Sequence, residues 1–190
     1  MFTHALSPPA PEKRATTLST QTPNHHLATN RLLGYVGVRQ DMRGTGDSEG
    51  TFGIWHDSVN DSFDTLDWVT NQTWSNGEVF VTGASADAID AVCAMSAPHP
   101  AIRAQVIVFA TSQAWETFFV GGSYREALID GWLRGTVPDQ ASTLIPLVHA
   151  KEAPSDPWWT TVNGTKWFPN IKYPCKYATP PSPFRTHIQP

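Results

Sequence analysis

The most chemically pointed stretch of the chain is Val81-Thr82-Gly83-Ala84-Ser85-Ala86-Asp87. Glu78-Val79-Phe80-Val81-Thr82 reads as a strand by its β-branched and aromatic content, and Ala86 to Met95 reads as a buried helix. A serine between strand and helix can be held on a sharp turn with its hydroxyl exposed above the sheet, the setting of a nucleophile. Such a turn needs small neighbours because the backbone bends tightly, and Gly83 and Ala84 supply them before the serine. The pattern asks for glycine two residues later. Asp87 stands there instead, a residue that tolerates unusual dihedrals but adds bulk and charge. The helix N-terminus offers the Ala86 N–H as an oxyanion donor. The competing account of Ser85 is an ordinary helix N-cap, which serine favours, and this stretch alone favours the cap.

A second stretch, Asp41-Met42-Arg43-Gly44-Thr45-Gly46-Asp47-Ser48-Glu49-Gly50, follows the β-prone run Gly34-Tyr35-Val36-Gly37-Val38-Arg39. Its glycines permit a tight loop at the carboxyl end of a sheet, where open α/β folds bind ligands. It is not a phosphate loop, because no Lys-Ser/Thr follows the glycines. Asp47 and Glu49 could attract a substrate amine or could be solvated loop carboxylates. Two cysteines, Cys93 and Cys175, make neither a disulfide framework nor a zinc pattern, and Cys93 in a run of small residues reads as a buried, inert thiol. Seven scattered histidines show no ligand spacing, so neither a metal nor a cofactor is expected.

These residues need a scaffold. Phe63, Leu66 and Val69 recur at three-residue spacing, with Asp61, Asp64 and Asp67 opposite, which predicts a helix over 61–73. Ser75-Asn76-Gly77 reads as a turn. Gln105-Val106-Ile107-Val108-Phe109 is a nearly unbroken apolar run, as expected of a parallel strand covered on both faces. Residues 123–134 read as another helix with Ala127, Leu128, Trp132 and Leu133 inward. Strand and helix alternate, which predicts an α/β fold with a small parallel sheet and right-handed crossovers. Residues 1–33, interrupted by Pro8, Pro9, Pro11 and Pro23 and without an apolar period, read as an irregular or disordered tail. Residues 34–135 read as the core. Residues 136–190 read as a cap segment running into a Pro-rich tail.

Composition narrows the function classes. The 190 residues are 40% apolar, enough for a core, which excludes wholesale disorder. The net charge of −4, with no basic stripe, argues against a nucleic-acid binder. No apolar run is long enough for a spanning helix, and Met1-Phe2-Thr3-His4 opens no basic-then-apolar leader, so a cytoplasmic protein without membrane contact is expected. Three sequons, at Asn60, Asn71 and Asn163, are attributed to chance in a Ser/Thr-rich chain.

Taken together, the motifs resemble a family. Arg39-Gln40-Asp41-Met42-Arg43-Gly44-Thr45-Gly46-Asp47-Ser48-Glu49-Gly50 is similar to the loop after the fourth strand in the X-Pro dipeptidyl-peptidase and cocaine-esterase (CocE/NonD) group of α/β-hydrolases. Asp64-Thr65-Leu66-Asp67-Trp68-Val69 and Gln72-Thr73-Trp74-Ser75-Asn76-Gly77 resemble the helix and turn that follow. Ser85 falls at the expected distance, and Ala110-Thr111-Ser112, Gly121-Gly122 and Gly131-Trp132-Leu133 fit the segment leading into a helical cap. The resemblance covers residues 34–135 and extends faintly over 136–174.

The resemblance implies a fragment of an α/β-hydrolase fold and a serine hydrolase that cleaves an X-Pro dipeptidyl or ester bond, on a small-molecule ester or peptide. It places Ser85 at the nucleophile and the Ala86 N–H at one oxyanion donor, where the family commonly has Tyr. The family's other donor, a Tyr from a loop before the fourth strand, has no match, since residues 1–33 contain no Tyr. The family's Asp follows a strand beyond the cap, and Ile171-Lys172-Tyr173-Pro174 marks the approach to that strand. Its His lies further on; His187 stands too close to take that role. The strand that should lie between 34–39 and 78–82 also has no visible β pattern in 1–33, and the early strands and those after the cap are expected to be missing. The alternative is therefore an inactive, truncated remnant, or an interaction module whose exposed sheet edges are covered by a protein partner. Trp115, Phe118, Phe119, Trp158, Trp159, Trp167 and Phe168 are expected in pocket walls or in cap packing.

Overall fold

The structure is a computed structural model and describes residues 2–4, 14–19, 34–163, 169, 171 and 173–178. Three of its parallel strands alternate with helices along the chain. β3 (Val36–Gln40), β4 (Ser75–Ala84) and β5 (Ile102–Val108) alternate with helices α1 (Ser58–Thr70), between β3 and β4, and α2 (Ala86–Ser96), between β4 and β5. β4 and β5 are direct parallel neighbours, with Ala84 opposite Val108. The alternation read from the sequence is thus the observed α/β architecture.

The expectation that residues 1–33 hold no strand is corrected. β2 (Arg14–Ser19) lies between β3 and β4 and pairs parallel with both, Leu18 facing Val38 on one side and Val81 on the other. β1 (Phe2–His4) pairs antiparallel on the outer side of β3. The Arg-Ala-Thr-Thr-Leu-Ser strand is short and has only one large apolar residue, so a pattern search sees a polar tail; pairing on both sides stabilises it instead. The expectation of missing strands beyond the cap is corrected too. β8 (Cys175–Ala178) pairs parallel with β5, following the 171–174 approach. Among the described residues the sheet order is β1-β3-β2-β4-β5-β8.

The β3-to-β4 and β4-to-β5 connections move the same way across the sheet, so right-handed crossovers put α1 and α2 on one face. Leu66 and Val69 of α1, Ala88, Ala91 and Val92 of α2, and Val79, Val81 and Ile107 of the sheet share one buried cluster there. Phe63 departs from expectation: it is exposed and meets the His99 ring edge-on, because a 3.6-residue period carries it off the face that Leu66 and Val69 share. Ser75-Asn76-Gly77 belongs to β4, although Gly77 has φ +83 and the Asn76 side chain accepts from the Glu78 N–H.

Beyond β5 the chain builds a cap. It comprises α3 (Ala114–Phe118), the small hairpin β6 (Phe119–Val120) and β7 (Ser123–Tyr124), then α4 (Glu126–Thr136) and α5 (Pro138–His149), and ends in a 3-10 turn at Pro157–Thr160. Phe118, Phe119, Ile129, Leu133, Val148 and Trp159 form its core. Ile89 and Cys93 of α2, and Phe52, Ile54 and Trp55 from the loop after β3, join the same cluster and bind cap to sheet. In α4, Ile129 and Leu133 are buried and Trp132 is half-buried, whereas Ala127 and Leu128 are exposed, contrary to the inward reading. Of the aromatic set, Phe118, Phe119 and Trp159 are cap core; Trp167 and Phe168 lie outside the described residues. Among the described residues no helix is long and apolar enough to cross a membrane.

Candidate active site

Ser85 is the junction residue between β4 and α2, with φ +60 and ψ −125. Few non-glycine residues adopt that conformation, and the surrounding hydrogen bonds hold it. The Ser85 N–H donates to the Val108 carbonyl at 3.0 Å, which ties the turn to β5. Its carbonyl accepts from Ala88 and Ile89 N–H at 3.0 and 3.3 Å, which starts the helix. Ser85 makes no side-chain capping bond, so the N-cap account of this serine fails on its own criterion. The residue is exposed.

The small residues around it have a steric cause. A Cβ on Gly83 would collide with the Asp87 carbonyl, because β4 and the first turn of α2 press together there. Asp87 occupies the place where the elbow pattern has glycine, and its side chain is buried. Burial pushes the Asp87 carboxyl up to about 7, with Arg39 pulling the other way. One turn on, burial raises the Asp90 carboxyl to about 7 as well, helped by the nearby Asp87 charge. Among the described residues the buried Asp90 Oδ2 has no hydrogen-bond partner. Cys93 is buried a turn further, and burial pushes its thiol up, consistent with an inert side chain.

Ser85 and Ala86 open onto a cavity of about 550 Å³ between the sheet end and the cap. Trp55, Ile89, Phe109, Leu128, Ile129 and Trp132 supply apolar wall, and Trp55 and Trp132 stack at 5.0 Å and 7°. Glu116 and Arg125 supply charge. Among the described residues the Ala86 N–H has no hydrogen-bond partner, as the first turn of a helix leaves it. An exposed hydroxyl, an unengaged amide and an apolar wall thus meet at one place. A larger cavity, about 650 Å³ between Met95, His99, Ile102 and Tyr173, lies at the opposite end of β5 and holds no nucleophile on a junction of this kind.

The Gly-rich loop is elsewhere. Arg43 pairs with Asp61 of α1 rather than with Asp41, and Asp41, Arg43, Ser48 and Glu49 line a separate groove with Asp61 and Asp64. Asp47 and Glu49 therefore do not face the Ser85 cavity. What the loop contributes is Trp55, reached through Ile54 and Trp55, both at positive φ.

Among the described residues no histidine lines the Ser85 cavity. His56 donates or accepts at 2.8 Å from Thr161 and lies against Trp158, and burial lowers its pKa. His149 is in the cap beside Asp130. His187 lies outside the described residues. β8 runs level with β4 and β5, Ala178 facing Val108 as Val108 faces Ala84. Thr179-Pro180-Pro181 follows β8, and no Asp or Glu follows Asp156 anywhere in the sequence. Among the described residues no group of three or more His, Cys, Asp or Glu is placed to hold a metal ion.

The cavity residues that sequence reading did not name are Trp55, Ile89, Glu116, Thr117, Arg125 and Ile129. The cap brings them together from separate segments, so no local spacing could mark them.

The fold and the sequence are similar to those of known proteins. A protein of Mycobacterium bovis named "Putative serine esterase" is 33% identical over 122 residues, covering 59% of this chain; the chain spans 19% of that relative's length. A CocE/NonD family hydrolase from Staphylococcus aureus superposes with TM-score 0.70 at 21% identity, over 85% of this chain and 35% of its own. An α-amino acid ester hydrolase superposes with TM-score 0.66 at 22% identity, over 87% and 38%. These two likenesses show the fold. The model of the X-Pro dipeptidyl-peptidase (S15) family matches residues 8–165, from before β2 to beyond the cap, and the chain belongs to that family of serine hydrolases.

Proposed function

We propose that the Ser85 cavity performs acyl transfer to water at an ester or peptide bond. The Ser85 conformation carries the proposal: φ +60 at a strand–helix junction, hydroxyl exposed, beside an unengaged Ala86 amide and a 550 Å³ apolar cavity. Ser85 Oγ attacks the carbonyl carbon, a C–O bond forms, and the Ala86 N–H stabilises the oxyanion. The leaving alcohol or amine departs with a proton. Water then cleaves the acyl-enzyme, releases the acid and restores the Ser85 hydroxyl. The mycobacterial relative's name points to esters; the family's name points to X-Pro peptides.

A second reading rests on a different observation. Among the described residues no histidine lines the cavity. A hydrolase without its base and orienting acid keeps only the part of its rate that comes from the oxyanion hole and binding, roughly 10³–10⁴-fold over water in serine proteases. The isolated 190-residue chain is therefore expected to turn over p-nitrophenyl esters and X-Pro anilides near background and to resist a fluorophosphonate probe. Imidazole added to the buffer, standing in for the base, separates nucleophile from remnant. Ester cleavage by the chain should rise with imidazole above the imidazole-only rate, and Ser85→Ala should remove that increment. Equal increments in both proteins would overturn the assignment of Ser85.

A further inference from the structure

Two buried polar groups behind the Ser85 cavity complement each other. Among the described residues neither the Trp55 indole N–H nor Asp90 Oδ2 reaches a hydrogen-bond partner, and both are sealed from solvent. The first can only donate and an ionised carboxylate can only accept, so each is what the other lacks. They are also neighbours: the Ser58 hydroxyl and the Trp55 N–H are the side-chain donors that favour the ionised Asp90 carboxyl against its burial. Their place in the fold gives the contact a use. Trp55 lines the cavity from the loop after β3 and stacks on Trp132 of α4, while Asp90 follows the cavity residue Ile89 on α2. The loop enters through Ile54 and Trp55 at φ +49 and +64, a backbone strained for a β-branched and an aromatic residue. Such strain persists only where the surroundings hold it. The Ser58 N–H donates to the Trp55 carbonyl at 3.1 Å and fixes the backbone, but it does not fix the ring. The ring has one polar atom, and Asp90 is the acceptor beside it.

We propose that Asp90 is a positioning residue for the Ser85 cavity: its carboxylate takes the Trp55 indole N–H, sets that ring against Trp132 and so fixes the apolar wall on which a substrate rests. This deepens the acyl-transfer reading and rests on it for the substrate, while the Asp90–Trp55 link stands by itself. The titratable groups facing Asp90 are Asp87 and Cys93 on its own helix and Asp61 on α1, which pairs with Arg43 from the loop after β3. Gln40 of β3 and Val81 of β4 close the small recess beside it without charge. A charged acceptor holds an N–H more firmly than a neutral one, so the link tightens as Asp90 ionises.

The indole N–H resonances of the full 190-residue chain, labelled with nitrogen-15, test the link, with Trp55 assigned by its loss in Trp55→Phe. In the wild type the Trp55 N–H should shift with pH about a midpoint near 7. Asp87→Asn should keep that shift and Asp90→Asn should abolish it. In Asp90→Leu the same N–H should exchange about fivefold faster, the worth of one hydrogen bond. Acetanilide, an uncharged amide the size of an aryl ester, reports the wall by ligand-observed titration. Asp90→Leu should weaken its binding about fivefold, and Asp90→Asn, which keeps an acceptor oxygen, should restore most of the loss. In a Trp55→Phe background Asp90→Leu should change binding no further, because the group it acts through is gone. Ser85→Ala should leave all of this intact. A pH shift that persists in Asp90→Asn would trace to His56 and overturn the proposal. So would acetanilide that fails to bind the wild type, or an Asp90→Leu effect undiminished in Trp55→Phe. Failure of the imidazole test with the Asp90–Trp55 coupling intact would sink the acyl-transfer reading alone.

Discussion

Gly83 and Asp87 touch across the first turn of α2: a Cβ on Gly83 would meet the Asp87 carbonyl oxygen and carbon well inside van der Waals contact. The obstacle is backbone, not the end of a flexible side chain. Substituting Gly83→Ala must therefore push α2 away from β4 or bend the turn at Ser85. Overpacking of this kind costs about 1–3 kcal/mol. Urea denaturation should show a loss of that order, and the stacked Trp55–Trp132 pair should report the displaced cavity wall in near-UV circular dichroism.

Ser85 holds a backbone conformation that glycine reaches freely and other residues do not. Ser85→Gly should therefore be more stable than Ser85→Ala by about 1 kcal/mol, although both lack the hydroxyl. The comparison isolates backbone strain from chemistry. Equal denaturation midpoints would show that the turn relaxes at no cost.

Asp87 and Asp90 make stability depend on pH in an unusual direction. Both folded carboxyls are raised to about 7 from an ordinary 3.8, so between those values the folded state holds more protons than the unfolded one. Stability is then greatest in the acid part of the window and falls as pH rises from about 4 to about 7. Asp90 is the cleaner handle, because its Oδ2 has no hydrogen-bond partner. Asp90→Asn should flatten the fall and raise stability at pH 8, because the amide stays neutral where the buried carboxyl must ionise. Urea midpoints for wild type and variant at pH 5 and pH 8 check the sign as well as the size.

The strand–helix junction at Ser85, the flanking strand and helix, and the parallel pairing of β4 with β5 were legible because each is written in contiguous residues: a β-branched run, a small-residue turn, an Ala-rich helix. β2 was not, because Arg14–Ser19 is held by pairing on both sides rather than by its own apolar pattern. Phe63 and Leu128 misled for a related reason. A spacing of three marks a helix but drifts off one face within two turns, so only burial tells which members face inward. The cavity was least legible. Trp55, Glu116 and Arg125 meet only after the cap folds against the sheet end, and the Gly-rich loop, the most conspicuous motif after Ser85, faces a different groove.

The cap that forms the cavity roof is held by one buried acid. Asp130, in α4, accepts from the Tyr124 hydroxyl at 2.8 Å and faces Arg134 at 3.3 Å and His149 at 3.4 Å, while the Tyr124 and His149 rings lie 4.0 Å apart. It thus joins the β6–β7 hairpin, α4 and α5, the elements that carry Arg125, Leu128 and Trp132 to the cavity. Removing the acid leaves the Tyr124 hydroxyl without its acceptor, while Arg134 and His149, both solvent-exposed, turn to water, so the loss is about 1–3 kcal/mol. Tyr124→Phe removes one donor and keeps Asp130 on its other partners, so it should cost about 1 kcal/mol. Asp130→Ala should then destabilise the protein more than Tyr124→Phe, and hydrogen exchange should quicken first in 126–149. If α2 and β4 exchange as fast as the cap in Asp130→Ala, cap and sheet unfold as one unit. If they stay protected, the roof opens separately while the Ser85 turn remains folded.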